Sequence, residues 1–254
     1  MNNQFSNKNL KDFLEFKYRQ YNGPEFIECD PISVPHRFRE KEDVEIAGFL
    51  TATLAWGQRK TIIRNALSLL ERMEFEPHDF ILNSTAPEKI KFTTFVHRTF
   101  NGFDCVYFLT SLQNIYQNHN GLENCFIGKD VKEAIINFRK VFFELPHPAR
   151  TEKHVANPAG GSSAKRINMF LRWMVRKDKQ GVDFGLWKQI RPSELFCPLD
   201  VHSGRVARKL GLLSRKQNDW KAVEELTANL RKLDGRDPVK YDYALFGLGV
   251  FEGF

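Results

Sequence analysis

Two side chains in this 254-residue sequence stand apart by type and setting. Asp200 ends the run Cys197-Pro198-Leu199-Asp200, just before Val201-His202, and Lys165 follows the small-residue stretch Ala159-Gly160-Gly161-Ser162-Ser163-Ala164. A carboxylate can stabilise a developing positive charge, and an amine that sheds its proton can attack an electrophilic carbon. Asp200 also suits a helix N-cap. Its carboxylate can accept the free amides of the next turn, Val201, Val206 and Leu210 have helical spacing, and Gly211 supplies a stop. Lys165 falls in the first turn of a helix predicted to begin near Ala164. A cation at the positive end of a helix dipole is mildly disfavoured, so this lysine is either neutral surface chemistry or a group put there for use.

The elements that must position this pair can be read around it. Asn157-Pro158 and the glycines that follow predict a tight turn, with Ser162 and Ser163 available to cap the helix. Beyond it, Ile167, Phe170, Leu171 and Met174 form a helical stripe, with Lys165, Arg166, Arg172 and Arg176 distributed around the rest of the cylinder. Gly181 to Trp187 reads as an inserted turn and short helix. Residues 165–216 carry 13 Lys and Arg against four acids, a local charge of +9.

Upstream, Leu10, Phe13, Leu14 and Tyr21 predict a helix ended by Asn22-Gly23-Pro24. Residues 43–56 are apolar almost all round, which describes a helix enclosed by others. Trp56-Gly57-Gln58 leads into a helix carrying Ile62 to Met73, where Gln58 suits a polar cap at a junction. Pro77 and Pro87 interrupt residues 74–101 as breakers. Helices follow over Phe103–Tyr116 and along Val131, Ala134, Ile135, Phe138, Val141 and Phe142. After the central segment, Trp220, Val223, Leu226 and Leu230 mark another helix, and Asp237-Pro238 reads as a cap and first-turn proline for a last one through Gly249. About ten helices and no strand pattern of any length give an all-α protein.

Length is sufficient for one globular unit across 1–254, with subdomains expected as 31–199 (helical core with the hairpin) and 1–30 plus 200–254 packed together. The net charge is +7; residues 151–254 hold 19 basic and 12 acidic residues, whereas residues 1–150 hold 19 of each. That one-sided excess favours a polyanion as partner. Cys29, Cys105, Cys125 and Cys197 are scattered without a C-x-x-C pair, so neither a zinc knuckle nor a disulfide framework is indicated. No metal or other cofactor is expected. The N-terminus has no basic start followed by an apolar run, and the longest apolar stretch, Gly48 to Trp56, is too short to span a bilayer, so a cytoplasmic protein without membrane attachment is expected.

A Gly-containing turn leading to a lysine at a helix start, followed by Asp200-Val201-His202 before a basic helix, resembles the helix-hairpin-helix DNA glycosylase superfamily. The resemblance covers residues 40–250 in element order. The wording KRINMFLRWMVR, PLDVHSGRVARKLGLL and DPVKYDYALFGLG is similar to that of a bacterial family of unknown function. Lys165 lies four residues after Gly161 rather than the usual two, and the 35 residues from Lys165 to Asp200 resemble the interval of archaeal 8-oxoguanine glycosylases. The resemblance implies a helix-hairpin-helix glycosylase-like fold of two helical subdomains with a cleft between them.

It also implies a monomer that acts on a damaged base in double-stranded DNA, possessing N-glycosylase and optional AP lyase activity. Asp200 and Lys165 would be catalytic. Gly160, Gly161, Ser162, Ser163, Arg166, Arg205, Arg208 and Lys209 would contact DNA, Gln58 would fill the gap left by an extruded base, and His202 would lie near that base. The alternative is a non-catalytic DNA- or RNA-binding protein that keeps the fold.

Overall fold

The computed structural model describes residues 7–254. These residues form twelve α-helices and no strand, and the β-type pairings among them are two isolated bridges, His97 with Phe100 and Ser162 with Asp219. The protein is all-α. No helix among the described residues is long and apolar enough to cross a membrane.

Internal contacts divide the chain into two compact units: Ile27–Ala156, and the described residues up to Phe26 together with Asn157–Phe254. Residues 157–199 therefore share a unit with the C-terminal helices, whereas the sequence grouped them with residues 31–156. Helix α1 (Asn7–Tyr21) lies in the second of these units and α2 (Pro24–Cys29) crosses the boundary.

The Ile27–Ala156 unit contains α3 (Lys41–Leu54), α4 (Arg59–Glu71), α5 (Pro77–Asn83), α6 (Ala86–Ile90), α7 (Gly102–Asn118) and α8 (Val131–Phe142). Eleven of the fourteen residues of α3 are buried, as an apolar surface on every side requires. Phe49 of α3 stacks on Phe108 and meets Phe138 edge-on and Phe142 at a tilt, and the Phe108 and Phe142 ring centres are 4.7 Å apart. Pro77 and Pro87 act differently from the breakers expected of them: each lies in the first turn of a short helix, α5 or α6. A proline costs nothing there, because a first-turn amide has no intrahelical acceptor to lose.

The other unit adds α9 (Lys165–Val175), α10 (Val201–Lys209), α11 (Trp220–Leu233) and α12 (Tyr241–Val250). α1 packs along α12, and Gly247 makes that approach close: a Cβ there would stand 2.1 Å from the Tyr21 ring. Every residue of α9 from Ile167 to Val175 is buried, so its arginines do not surround a solvated face. Arg172 pairs with Asp183 (3.2 Å) and with Asp242, and Arg176 pairs with Asp178 (2.8 Å), Asp183 (2.9 Å) and Asp237 (2.9 Å). Tyr243 lies beneath both guanidinium groups, 4.3 Å from that of Arg172.

This network redirects two expected features. Asp237 gives its carboxylate to Arg176 and caps nothing; Pro238 opens a short 3-10 turn, and α12 begins only at Tyr241. The segment 181–187 forms turns and extended chain in place of a short helix. Its amides are claimed by the end of α9, Phe184 by the Trp173 carbonyl and Trp187 by that of Met174, each at 2.9 Å. Carbonyls in a last helical turn lack intrahelical donors, and here a following loop supplies them.

Candidate functional site

Lys165 is the first residue of α9 and Asp200 the N-cap of α10. Their side chains meet, Lys165 Nζ 3.7 Å from Asp200 Oδ2, each about a quarter exposed at 28% and 25%. Asp200 divides its two oxygens between tasks. Oδ1 accepts the amides of His202 (2.8 Å) and Ser203 (3.0 Å), and the Ser203 hydroxyl accepts the Asp200 amide in return (2.9 Å). Oδ2 is left facing the lysine. Burial alone would raise the Asp200 carboxyl, but the Lys165 ammonium and the amides of Ser203 and His202 together hold it below its ordinary value.

The backbone on both sides is fixed. Before Asp200, the amide of buried Cys197 donates to Thr227 Oγ1 of α11 (3.0 Å). The Asp200 carbonyl accepts from Asn218 Nδ2 (3.0 Å), and Asn218 Oδ1 in turn accepts from Arg208 (2.7 Å). Gly204 leaves room for this chain, since a Cβ there would lie 2.9 Å from the Arg208 guanidinium and 3.0 Å from Asn218 Oδ1. Asn218 carries no motif signal, and only the structure discloses its support of Asp200.

The turn before Lys165 is held from outside the helix. Two short 3-10 turns, Ala149–His154 and Pro158–Gly160, lead into it, and Asn157 Oδ1 accepts the Ala159 amide (3.0 Å). Gly161 takes a left-handed conformation, φ +86°, and its carbonyl accepts the Trp220 amide at the head of α11 (3.0 Å). Ser162 does not cap α9; its hydroxyl accepts the amide of Ala164 (3.2 Å), and Asn168 Nδ2 donates to the Ser163 carbonyl (3.1 Å). Ala164 occupies the cap position with φ +47° and offers no side-chain cap. A left-handed alanine is uncommon, and this one directly precedes the lysine.

The remaining candidates separate by setting. Gly160, Gly161 and Ser162 are exposed and Ser163 is half-buried. Arg205 is exposed and donates to the Gly249 carbonyl (3.0 Å); exposed Lys209 reaches over the Phe254 ring, 5.2 Å from its centre. Arg208 is committed inward, to the carbonyls of Arg215 (2.8 Å) and Lys216 (2.9 Å) as well as to Asn218. Arg166 is half-buried, and desolvation pushes its guanidinium down to about 10. His202 is exposed with its Cβ against Gly249, where an added Cβ would come within 3.1 Å. Gln58 belongs to the Ile27–Ala156 unit. It is exposed at the N-cap position of α4 and makes no capping bond with its side chain. Among the described residues no group of three or more His, Cys, Asp or Glu side chains is arranged to hold a metal ion.

Sequence reasoning missed the buried ion pairs of Arg172 with Asp183 and Asp242. A signal was present, because Arg172 interrupts an otherwise apolar run from Met169 to Val175, and an arginine inside such a run must be buried with its counter-charge.

The chain belongs to a family described as protein of unknown function (DUF2400), whose model matches residues 30–251. No curated protein and no solved structure matches it.

Proposed function

We propose that this DUF2400 protein is a base-excision enzyme of the helix-hairpin-helix glycosylase type, which releases a damaged base from double-stranded DNA through Asp200 and Lys165. The observation that carries this reading is the 3.7 Å pairing of a helix-capping carboxylate with a helix-start lysine. Breaking an N-glycosidic bond builds positive charge on the sugar, and Asp200 Oδ2, ionised and partly exposed, is suited to stabilise it. The base departs with the bonding electron pair. If the Lys165 amine, having lost its proton, attacks the anomeric carbon, a new C–N bond forms there and ring opening yields a Schiff base that permits strand nicking.

Exposed Arg205 and Lys209, with the Gly160–Ser163 turn, supply groups for phosphate contacts. An enzyme of this kind must also extrude its target nucleotide.

The test is incubation with duplexes carrying a panel of damaged bases, followed by alkaline strand cleavage, with borohydride present in a parallel series. Base release from at least one duplex, lost in Asp200→Asn, is expected. A borohydride-trapped adduct that disappears in Lys165→Gln would add the lyase step. Tight DNA binding without release from any duplex would overturn the catalytic reading and leave a binding protein.

A further inference from the structure

Lys165 and Asp200 lie 35 residues apart in the chain, yet the backbone at or just before each is tied to the same three residues, Asn218, Asp219 and Trp220. On the aspartate side, Asn218 Nδ2 donates to the Asp200 carbonyl (3.0 Å). On the lysine side, the Trp220 amide donates to the carbonyl of Gly161 (3.0 Å), four residues before Lys165, and Asp219 forms an isolated β-bridge with Ser162. These anchors reach main-chain atoms, so they fix the course of both segments rather than the rotamer of one side chain.

The three residues are themselves held. Arg208, near the end of α10, donates to the carbonyls of Arg215 (2.8 Å) and Lys216 (2.9 Å) and to Asn218 Oδ1 (2.7 Å), which orients the Asn218 amide with its Nδ2 toward Asp200. Asp219 caps α11 by accepting the Ala222 amide (3.1 Å) and is paired with Arg215. Trp220 is buried, its indole N–H on Glu224 (2.7 Å) and its ring centre 5.0 Å from that of Phe196. As the first residue of α11, Trp220 has an amide with no acceptor inside its own helix, and the Gly161 carbonyl takes it.

We infer that Asn218 is a positioning residue: its side chain, together with the Trp220 amide two residues on, joins the turn before Lys165 to the cap of α10 and so sets the contact between the lysine and Asp200. The catalytic meaning of this assignment rests on the function proposed above, in which that pair does the chemistry. A side-chain amide suits the place because it accepts from Arg208 on one side and donates to Asp200 on the other. Aspartate there would keep the Arg208 bond and lose the donation, whereas alanine would lose both. Displacing a reacting group by about 1 Å can cost on the order of 100-fold in rate, so an anchor of this kind acts on the chemical step and leaves the binding of a duplex largely alone.

The experiment couples Lys165 to Asp200 with a water-soluble carbodiimide, which forms an amide between an amine and a carboxyl that already meet and carries off the carboxyl oxygen as a urea. The Lys165–Asp200 product is quantified by mass spectrometry against the Lys41–Glu123 product (2.6 Å) of the Ile27–Ala156 unit, in wild type, Asn218→Asp and Asn218→Ala. The ratio should fall about threefold or more in both variants. An unchanged ratio in folded Asn218→Asp, which keeps the Arg208 bond, overturns the assignment. In wild type the Trp220 amide should exchange slowly with solvent deuterium; exchange at the rate of an unstructured peptide overturns it too, and this readout stands even where a variant fails to fold. Single-turnover excision adds the kinetic signature, slower release by Asn218→Asp at unchanged duplex affinity, and normal release by a variant whose ratio has fallen would overturn the positioning role. Coupling and exchange are measured without DNA, so a fallen ratio accompanied by no base release from wild type would refute the proposed function alone.

Discussion

Asp200 performs two jobs through two oxygens, and substitution can separate them. Oδ1 takes the amides of His202 and Ser203, whereas Oδ2 faces Lys165. Asn keeps a carbonyl oxygen for the cap and gives up the charge; Ala gives up both. Loss of a side-chain cap costs about 1 kcal/mol. An ion pair as open to solvent as this one contributes less than about 1 kcal/mol. Asp200→Asn should therefore unfold in urea within about 1 kcal/mol of wild type, and Asp200→Ala about 1 kcal/mol lower still. Base release should fall by about 100- to 1,000-fold in both, the usual loss when one electrostatic stabiliser of a transition state is removed. Equilibrium urea unfolding and single-turnover excision, run on the same preparations, measure the two effects. Equal stability of the Asn and Ala variants would refute the cap argument, and wild-type excision by Asp200→Asn would remove its charge from the reaction.

Arg176→Met should lower the unfolding free energy by about 3–5 kcal/mol, because Asp178, Asp183 and Asp237 would remain clustered without their shared cation; a loss below 1 kcal/mol in urea would contradict the buried network. Burial would raise the Asp178 carboxyl, but Arg176, Asn22, Tyr18 and the Gln180 amide hold it down to about 2. Since that value lies below the unfolded one, its stabilisation of about 2 kcal/mol is complete above roughly pH 4 and is lost as pH falls toward 2; Asp178→Asn should flatten that acid limb in pH-dependent unfolding. Replacing Arg205 and Lys209 by Ala should reduce the salt slope of duplex binding by about 1.8, at roughly 0.9 per phosphate. Arg208→Ala should instead lower the melting temperature and weaken excision, through the Asn218 link to Asp200, and an effect confined to the salt slope would show that this link carries no weight.

The helical architecture was legible because its signals are local. The 3–4 spacing of Val131, Ala134, Ile135 and Phe138 fixes the buried stripe of α8, and those residues are buried. Asp200 and Gly211 bracket α10 as cap and stop. What escaped depends on partners distant in sequence. Asp237 resembles a cap until Arg176, 61 residues earlier, takes its carboxylate. Gly181 to Trp187 resembles a short helix until the free carbonyls of α9 take its amides. Ser162 and Ser163 resemble caps, yet the left-handed turn at Ala164 leads α9 away from them. Periodicity reports the face that a residue occupies, and it cannot report whether an arginine on that face meets water or an aspartate.

That distinction changes the meaning of the basic segment. Counted along the chain, residues 165–216 hold 13 cations against four acids, which suggests a continuous positive surface. In the folded unit Arg172 and Arg176 are buried, and Asp237 and Asp242, from outside the segment, join Asp178 and Asp183 in neutralising them. Arg208 is occupied by carbonyls, and Arg215 is paired with Asp219. The exposed lysines, Arg191 and Arg205 are the solvent-facing cations of this segment, and their attraction for a polyanion should be strongly screened by salt. Local geometry must then supply the discrimination. Lys165 and Asp200 are suited to that because both are held through the backbone: the lysine by a turn tied to the head of α11, the aspartate by a cap, a serine and an asparagine. Such positioning does not weaken with ionic strength. Raising salt should consequently slow association with DNA while leaving the rate of the bound complex nearly constant, and a fall in single-turnover rate at saturating enzyme that parallels the fall in affinity would refute this division of labour.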